Sequence, residues 1–410
     1  MHTRVVAVIS LLSLILVVYG ALGGQRPTPP PTPEAALAFV RHYWQRPIPP
    51  QGPPPPTFTP IEASLAPQDC GVCHPAQYQD WQTSLHAQTM GPGVMGQLVD
   101  MLEINPEEAL FCQTCHAPLT EQLPKLQAAD GALGENPHYQ PALREQGLVC
   151  AACHVRQQQR FGPPKRPDAP PSPAVIPHGG FTVTAAFQRA EFCMGCHQFE
   201  EDGFALNGKL FQNTYQEWQA SRYAKEGVQC QACHMPDQRH LWRGIHDPEM
   251  VKSGVTIDLK TAKASYRPGE TLQATVQIAN SGVGHYFPTY VTPQVVVRLE
   301  LVDKDGKALK ATQKEAVIGR EIPLDLSREV FDTRIPPGET FAINYAQKVP
   351  RAGLRLRATV TVYPDQFYTR FFQATLANGQ VSKGRTLLQQ ALKRTQESPF
   401  VIFTKEVPVG

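Results

Sequence analysis

Beyond about Val255 the chain alternates. Leu272, Ala274, Val276 and Ile278 are apolar while Thr271, Gln273, Thr275 and Gln277 are polar, the period of a strand with one buried face. Leu354, Leu356, Ala358, Val360 and Val362 repeat the pattern against Arg355, Arg357, Thr359 and Thr361. Asp305-Gly306, Asn280-Ser281-Gly282 and Pro336-Pro337-Gly338 supply the turns. The pattern predicts an antiparallel β-sandwich of immunoglobulin-like type over 255–410, without the disulfide of that fold. A short helix from Gly384 to Arg394 and a last strand from Phe400 to Phe403 would close it.

Upstream the period changes. Tyr78-Gln79-Asp80-Trp81-Gln82-Thr83-Ser84-Leu85-His86 parallels Tyr215-Gln216-Glu217-Trp218-Gln219-Ala220-Ser221-Arg222-Tyr223, a Y-x-x-W-x-x-S spacing that places Tyr78, Trp81 and Leu85 on one helical face. One copy ends in a histidine, the other in Tyr223. At the start, Val5 to Leu22 is uncharged and mostly apolar behind Arg4, long enough to span a bilayer, and Ala21-Leu22-Gly23 is a weak cleavage site. The expected fold class is therefore α+β multidomain: a mainly helical and loop region, then an antiparallel sandwich, with an N-terminal membrane segment. Residues 1–24 read as a signal anchor or signal peptide.

Composition adds a spacer and a charge split. Of residues 27–60, 13 are proline, so 25–66 reads as an extended, semi-rigid linker, with a helix only over Ala35 to Trp44. A second cluster, Pro163 to Pro177, reads as a loop. The formal net charge of +2 gives no bulk electrostatic case for nucleic acid. Residues up to 254 hold 17 basic and 22 acidic side chains, those beyond hold 21 and 14. A basic sandwich thus faces an acidic region or an acidic partner, or is simply solvated.

The ten cysteines carry the chemistry. Cys70-Gly-Val-Cys73-His74, Cys112-Gln-Thr-Cys115-His116, Cys150-Ala-Ala-Cys153-His154, Cys193-Met-Gly-Cys196-His197 and Cys230-Gln-Ala-Cys233-His234 are five copies of C-x-x-C-H and use every one. At this composition chance supplies roughly 0.008 copies. The spacing is that of covalent c-type haem attachment: two thiols bond one porphyrin and the adjacent histidine ligates its iron. A redox dithiol or zinc half-site leaves the repeated histidine unexplained. The expected cofactors are five covalently bound haem c groups, held over 67–254. Such attachment is an export-side reaction, so the protein is expected on the periplasmic side of the cytoplasmic membrane, tethered by its N-terminal segment, or free in the periplasm or beyond if that segment is cleaved.

Each iron has one further axial position. Apart from the motif histidines and from His2 and His42, the candidates are His86, His178, His246, His138, His240 and His285. Six candidates for five positions suggest a wire of mostly bis-histidine haems. His285, in Gly284-His285-Tyr286-Phe287-Pro288, would lock the sandwich onto a haem. Met90, Met194 and Met235 are better read as packing residues.

The run Cys70 to His86, with C-x-x-C-H-x-x-x-Y-x-x-W-x-x-S-x-H, resembles the multihaem cytochromes related to cytochrome c-554 and hydroxylamine oxidoreductase. Phe192 to Phe199 and Cys230 to Pro236 are similar to members of that group, and the likeness covers about 67–250. The resemblance implies stacked haem pairs and histidines donated from distant segments, His86 among them. Five motifs, not four or eight, and the lack of a C-x-x-C-K site mark departures from it. The expected function is a membrane-tethered pentahaem carrier passing electrons between respiratory donor and acceptor proteins, with a larger respiratory complex as a further partner. The alternative is a reductase or oxidase of a small nitrogen or sulfur compound at one five-coordinate haem, which Tyr223 in place of a histidine would allow.

Overall fold

A computed structural model describes residues 32–128, 131–168, 176–379 and 381–409. The expected N-terminal membrane segment lies outside the described residues, as does part of the second proline cluster. Among the described residues no helix is long and apolar enough to cross a membrane.

The region up to residue 254 is a series of short helices, and proline starts most of them. Pro33, Pro60, Pro67, Pro75, Pro92, Pro106, Pro141 and Pro248 each sit at the first helical turn, where φ is pre-set and the missing N–H has no partner to lose. This is why 32–66 is not an extended spacer. The helix Pro33–Tyr43 buries Val40 and Tyr43 against Phe192. Ile48, fully buried, accepts from the Thr120 amide at 3.0 Å and donates its own to Pro118 at 2.9 Å. High proline content marked helix starts here, and Phe39, Tyr43 and Trp44 supplied the apolar surface that pins the segment. Apolar packing in this region comes as several small clusters, such as Ile48, Leu119, Leu143 and Val149.

From Val255 the architecture is α+β with antiparallel sheets. One sheet runs in the order Phe331–Asp332, Lys314–Glu321, Gln294–Val302, Arg355–Tyr363, Phe400–Pro408; the other runs Thr340–Lys348, Thr271–Asn280, Val255–Thr261. Leu272, Ala274, Val276 and Ile278 from one sheet share a single buried cluster with Val295, Val297, Leu356, Ala358, Val360 and Val362 from the other. The alternation read from the sequence is the burial pattern found. The closing helix is Arg385–Glu397 and the last strand extends to Pro408.

A second helix, Gln366–Ala377, pairs with Arg385–Glu397 and the hairpin lies on the helix Pro92–Ile104. Gly93 and Gly96 admit Phe372 and Leu388: a Cβ on Gly93 would stand 2.9 Å from the Phe372 ring, and one on Gly96 2.8 Å from a Leu388 methyl. The Asp100 carboxylate accepts from the amides of Ser382, Lys383 and Gly384. Further along, Arg334 reaches Glu217 at 3.0 Å, both nearly inaccessible. The sandwich and the helical region are thus joined by buried polar contacts as well as apolar ones.

Candidate haem sites

Each C-x-x-C-H motif closes a helix: Pro67–Cys73, Pro106–His116, Cys150–His154, Glu191–His197 and Cys230–His234. Cysteines three apart lie on one face of a turn, so both thiols of a motif point the same way. None of the ten cysteines is in a disulfide.

Six of the histidine rings share a hydrogen-bond pattern, whereas His197 Nδ1 faces the Gln212 side-chain nitrogen at 3.4 Å and His86 Nδ1 is buried without a partner. The Nδ1 of His116 donates to the Thr89 carbonyl at 2.9 Å, His154 to Phe161 at 2.8 Å and His234 to Arg243 at 2.6 Å. Outside the motifs, His178 donates to Gly180 at 2.9 Å, His240 to Gln238 at 3.0 Å and His285 to Tyr286 at 2.9 Å. A carbonyl only accepts, so in each ring Nδ1 carries the proton and Nε2 presents its lone pair, the tautomer a metal takes. Burial disfavours the charged form of four rings: it pushes His86 down to about 3 and His154, His197 and His285 to about 4.

The rings also stand in pairs. His86 and His197 have centroids 6.2 Å apart, His154 and His240 6.1 Å, His234 and His285 6.3 Å. Each pair joins a motif histidine to one from a distant segment. With metal–imidazole bonds of about 2 Å, two rings on opposite sides of one ion have centroids about 6 Å apart. The donor set therefore fits an axial pair around iron. His74 is held below its ordinary value by burial and then by its neighbour His178, which makes His178 the partner available to the first motif.

Two expected ligands stand elsewhere. His138 is exposed, its amide bonded to the Asn136 side chain at 2.9 Å. His246 places Nε2 2.9 Å from the Asp365 carboxylate. Among the described residues no histidine ring pairs with His116. Met90 is buried with Leu98 and Ala109, a packing residue as read.

Thiols of different motifs also meet. Cys70 lies near Cys150, Cys115 near Cys196, and Cys193 near Cys230. Cys153 lies near Cys193 and Cys196. The motifs therefore form a contiguous chain in the order first, third, fourth, with the second and fifth both adjoining the fourth.

Residues 69–155 match the family described as cytochrome c554 and c-prime. The penta-haem cytochrome c552 of Thermochromatium tepidum superposes with a TM-score of 0.54 at 18% identity, covering 86% of this chain and 100% of that one. The family match is confined to that segment, and at this identity the structural likeness shows a shared fold. No curated protein matches the chain. The CARDB domain of a Pyrococcus furiosus protein (15% identity, 38% of this chain, 87% of that one) has a TM-score of 0.19. The ApaA-like protein of Bordetella pertussis (13%, 38%, 91%) has one of 0.18. Both scores are too low to bear on the fold.

The internal repeat extends beyond the Y-x-x-W-x-x-S segments themselves. Trp81 donates its indole N–H to the Leu148 carbonyl at 2.8 Å, and Trp218 to Val228 at 2.9 Å; each acceptor lies two residues before the next motif in contact. The amides of those same residues donate to His86 at 2.9 Å and Tyr223 at 2.8 Å. Tyr223 thus occupies the backbone place of His86, but its hydroxyl donates to the Ser281 carbonyl at 3.2 Å. The sequence signal was present in Gly147-Leu148-Val149-Cys150 and Gly227-Val228-Gln229-Cys230.

Gly147 and Gly227 both have positive φ, +67° and +77°, but only the first is crowded: an added Cβ would lie 2.6 Å from the Thr89 hydroxyl and 2.9 Å from the His86 carbonyl. Gly227→Ala should cost about 1–2 kcal/mol, the left-handed backbone penalty alone. Gly147→Ala should cost clearly more. Thermal unfolding of the two holoproteins measures the difference, and equal losses would contradict it.

Proposed function

We propose that the chain carries five covalent haems, four with two histidines and one with a single histidine, and that they relay electrons between partner proteins. The pairs are His74 with His178, His154 with His240, His197 with His86, and His234 with His285; His116 stands alone. The observation that carries this reading is the three ring pairs at 6.1–6.3 Å, each matching a motif histidine to a distant one. Bound iron porphyrin supplies the reversible one-electron change. The chain's own residues do the rest. Thiols fix position, backbone carbonyls fix the tautomer and orientation of six rings, and Trp81 and Trp218 tie the first motif to the third and the fourth to the fifth.

Cys73 and Cys233 are the exposed thiols, at opposite ends of the motif chain. The first and fifth motifs are therefore the points where partner proteins would give and take electrons. The apolar Val5–Leu22 stretch supports a tether or leader on the periplasmic side. The two stacked antiparallel sheets support the immunoglobulin-like reading of 255–410.

A second reading rests on His116. With no histidine ring opposite it, that iron would be open to a small nitrogen or sulfur compound. Electron paramagnetic resonance of the oxidised holoprotein tests both: the expected spectrum contains four low-spin haems and one high-spin haem. Five low-spin haems would remove the open position and leave the carrier; two or more high-spin haems would break the pairing scheme.

A further inference from the structure

The Nδ1 of His86 is buried and bonds to nothing, whereas His240, His234 and His285 each commit theirs to a backbone carbonyl. Such a bond is what normally stops an axial imidazole from turning about its link to the metal. At His86 an indole stands in its stead. The Trp242 ring centroid lies 4.6 Å from that of His86 at an interplanar angle of 68°, and 5.1 Å from that of His240 at 90°. Both are edge-to-face contacts of the kind aromatic rings prefer. In the proposed pairing His86 completes the fourth haem and His240 the third, so one side chain packs on the ligands of two irons.

The backbone of the same segment is tied down at both ends. The Trp242 amide donates to the His234 carbonyl at 2.9 Å, and the Arg243 carbonyl accepts from His234 Nδ1 at 2.6 Å. On the other side the buried Asp80 carboxylate accepts from the Arg239 guanidinium at 2.7 and 2.6 Å and from the His240 amide at 3.0 Å. Trp242 itself has φ +43°. A bulky aromatic in that left-handed region is an outlier, and it persists only where its surroundings over-determine it. The bonds of Asp80 and His234 supply that constraint.

We infer that Trp242 is a positioning residue for two haems at once, its indole setting the plane of the His86 ring and packing against that of His240. The inference rests on the proposed ring pairing and deepens it. The plane of an axial imidazole orients the iron orbital that holds the unpaired electron, and with it the low-spin signal and the ease of reduction. Trp242 would therefore tune the third and fourth haems together, with no contact to either iron.

Electron paramagnetic resonance of the oxidised full-length holoprotein provides the test. Trp242→Leu keeps apolar bulk but removes the indole. Two of the four low-spin signals should move in g, the other two should hold, and intact mass should still show every haem attached. Trp242→Phe, a smaller ring in the same place, should move the same two signals by less. A parent spectrum without four low-spin signals would overturn the ring pairing and the role of Trp242 with it. A parent with all four, and variants in which none moves, would overturn the role of Trp242 alone. Movement of one, three or all four signals would do the same, since a merely structural disturbance has no reason to stop at two haems. If the leucine variant fails to take up its haems, the phenylalanine variant decides by the same criteria.

Discussion

Arg320→Ala should be the most destabilising single change in the sandwich, lowering unfolding free energy by about 3–5 kcal/mol. Arg320 is fully buried and makes four hydrogen bonds: to Glu329 at 2.8 Å and to the carbonyls of Leu210, Leu206 and Lys209 at 2.8, 2.9 and 3.0 Å. Those three carbonyls belong to the helical region, so this one guanidinium stitches the two parts together. Truncation leaves buried acceptors without donors and Glu329 with Lys209, 3.0 Å away, and the Asn207 amide at 3.3 Å. Arg320→Lys keeps the charge but not the planar fork that reaches several carbonyls, and should recover less than half of the loss. Denaturant unfolding of the holoprotein reads both variants. A loss under about 1 kcal/mol for the alanine variant, the range of an ordinary surface pair, would show that the interface is not held this way.

The largest spectroscopic effect is expected from His285→Ala. Its ring stands 6.3 Å from His234 and nearly parallel to it, at 11°, and its Nδ1 proton is committed to Tyr286. Removing it should convert one low-spin haem to high-spin without loss of covalent haem, and the protein should fold, because the buried contacts of Arg334 and Arg320 remain. His138→Ala, at an exposed residue away from the ring pairs, should leave every spin state unchanged. If His285→Ala is silent, or His138→Ala is not, the axial assignments proposed above are wrong.

Much of this was legible in one sequence, and for physical reasons. A C-x-x-C-H turn is local chemistry, so its ten thiols and five histidines needed no tertiary information. The sandwich strands declared themselves because one face is apolar at every second residue, as at Leu272 to Ile278. Axial partners are different: His86, His178, His240 and His285 come to their motif histidines by long-range folding, which spacing does not encode. Counting histidines against irons named them but also named His138 and His246, for which no ring pairing with a motif histidine is found among the described residues.

Proline misled in another way. A dense run of it reads as polyproline spacer, whereas Pro33, Pro60 and Pro67 open helices, the first of them packed against the aromatic cluster of Tyr43 and Phe192. The helix Gln366–Ala377 escaped notice because it follows a strand directly and its flanking Asp365 makes no capping bond. Arg320 and the Glu217–Arg334 pair look like ordinary surface charges in the sequence; only the docking of sandwich on helical region removes them from water.

The central claim is that the five cysteine pairs are bonded to porphyrin. Intact mass spectrometry of the mature protein after full denaturation measures this directly, since thioether-linked groups stay with the chain while coordinated ones leave. The expected mass is the polypeptide plus five haem groups; a denatured chain bearing fewer, or none, would contradict it.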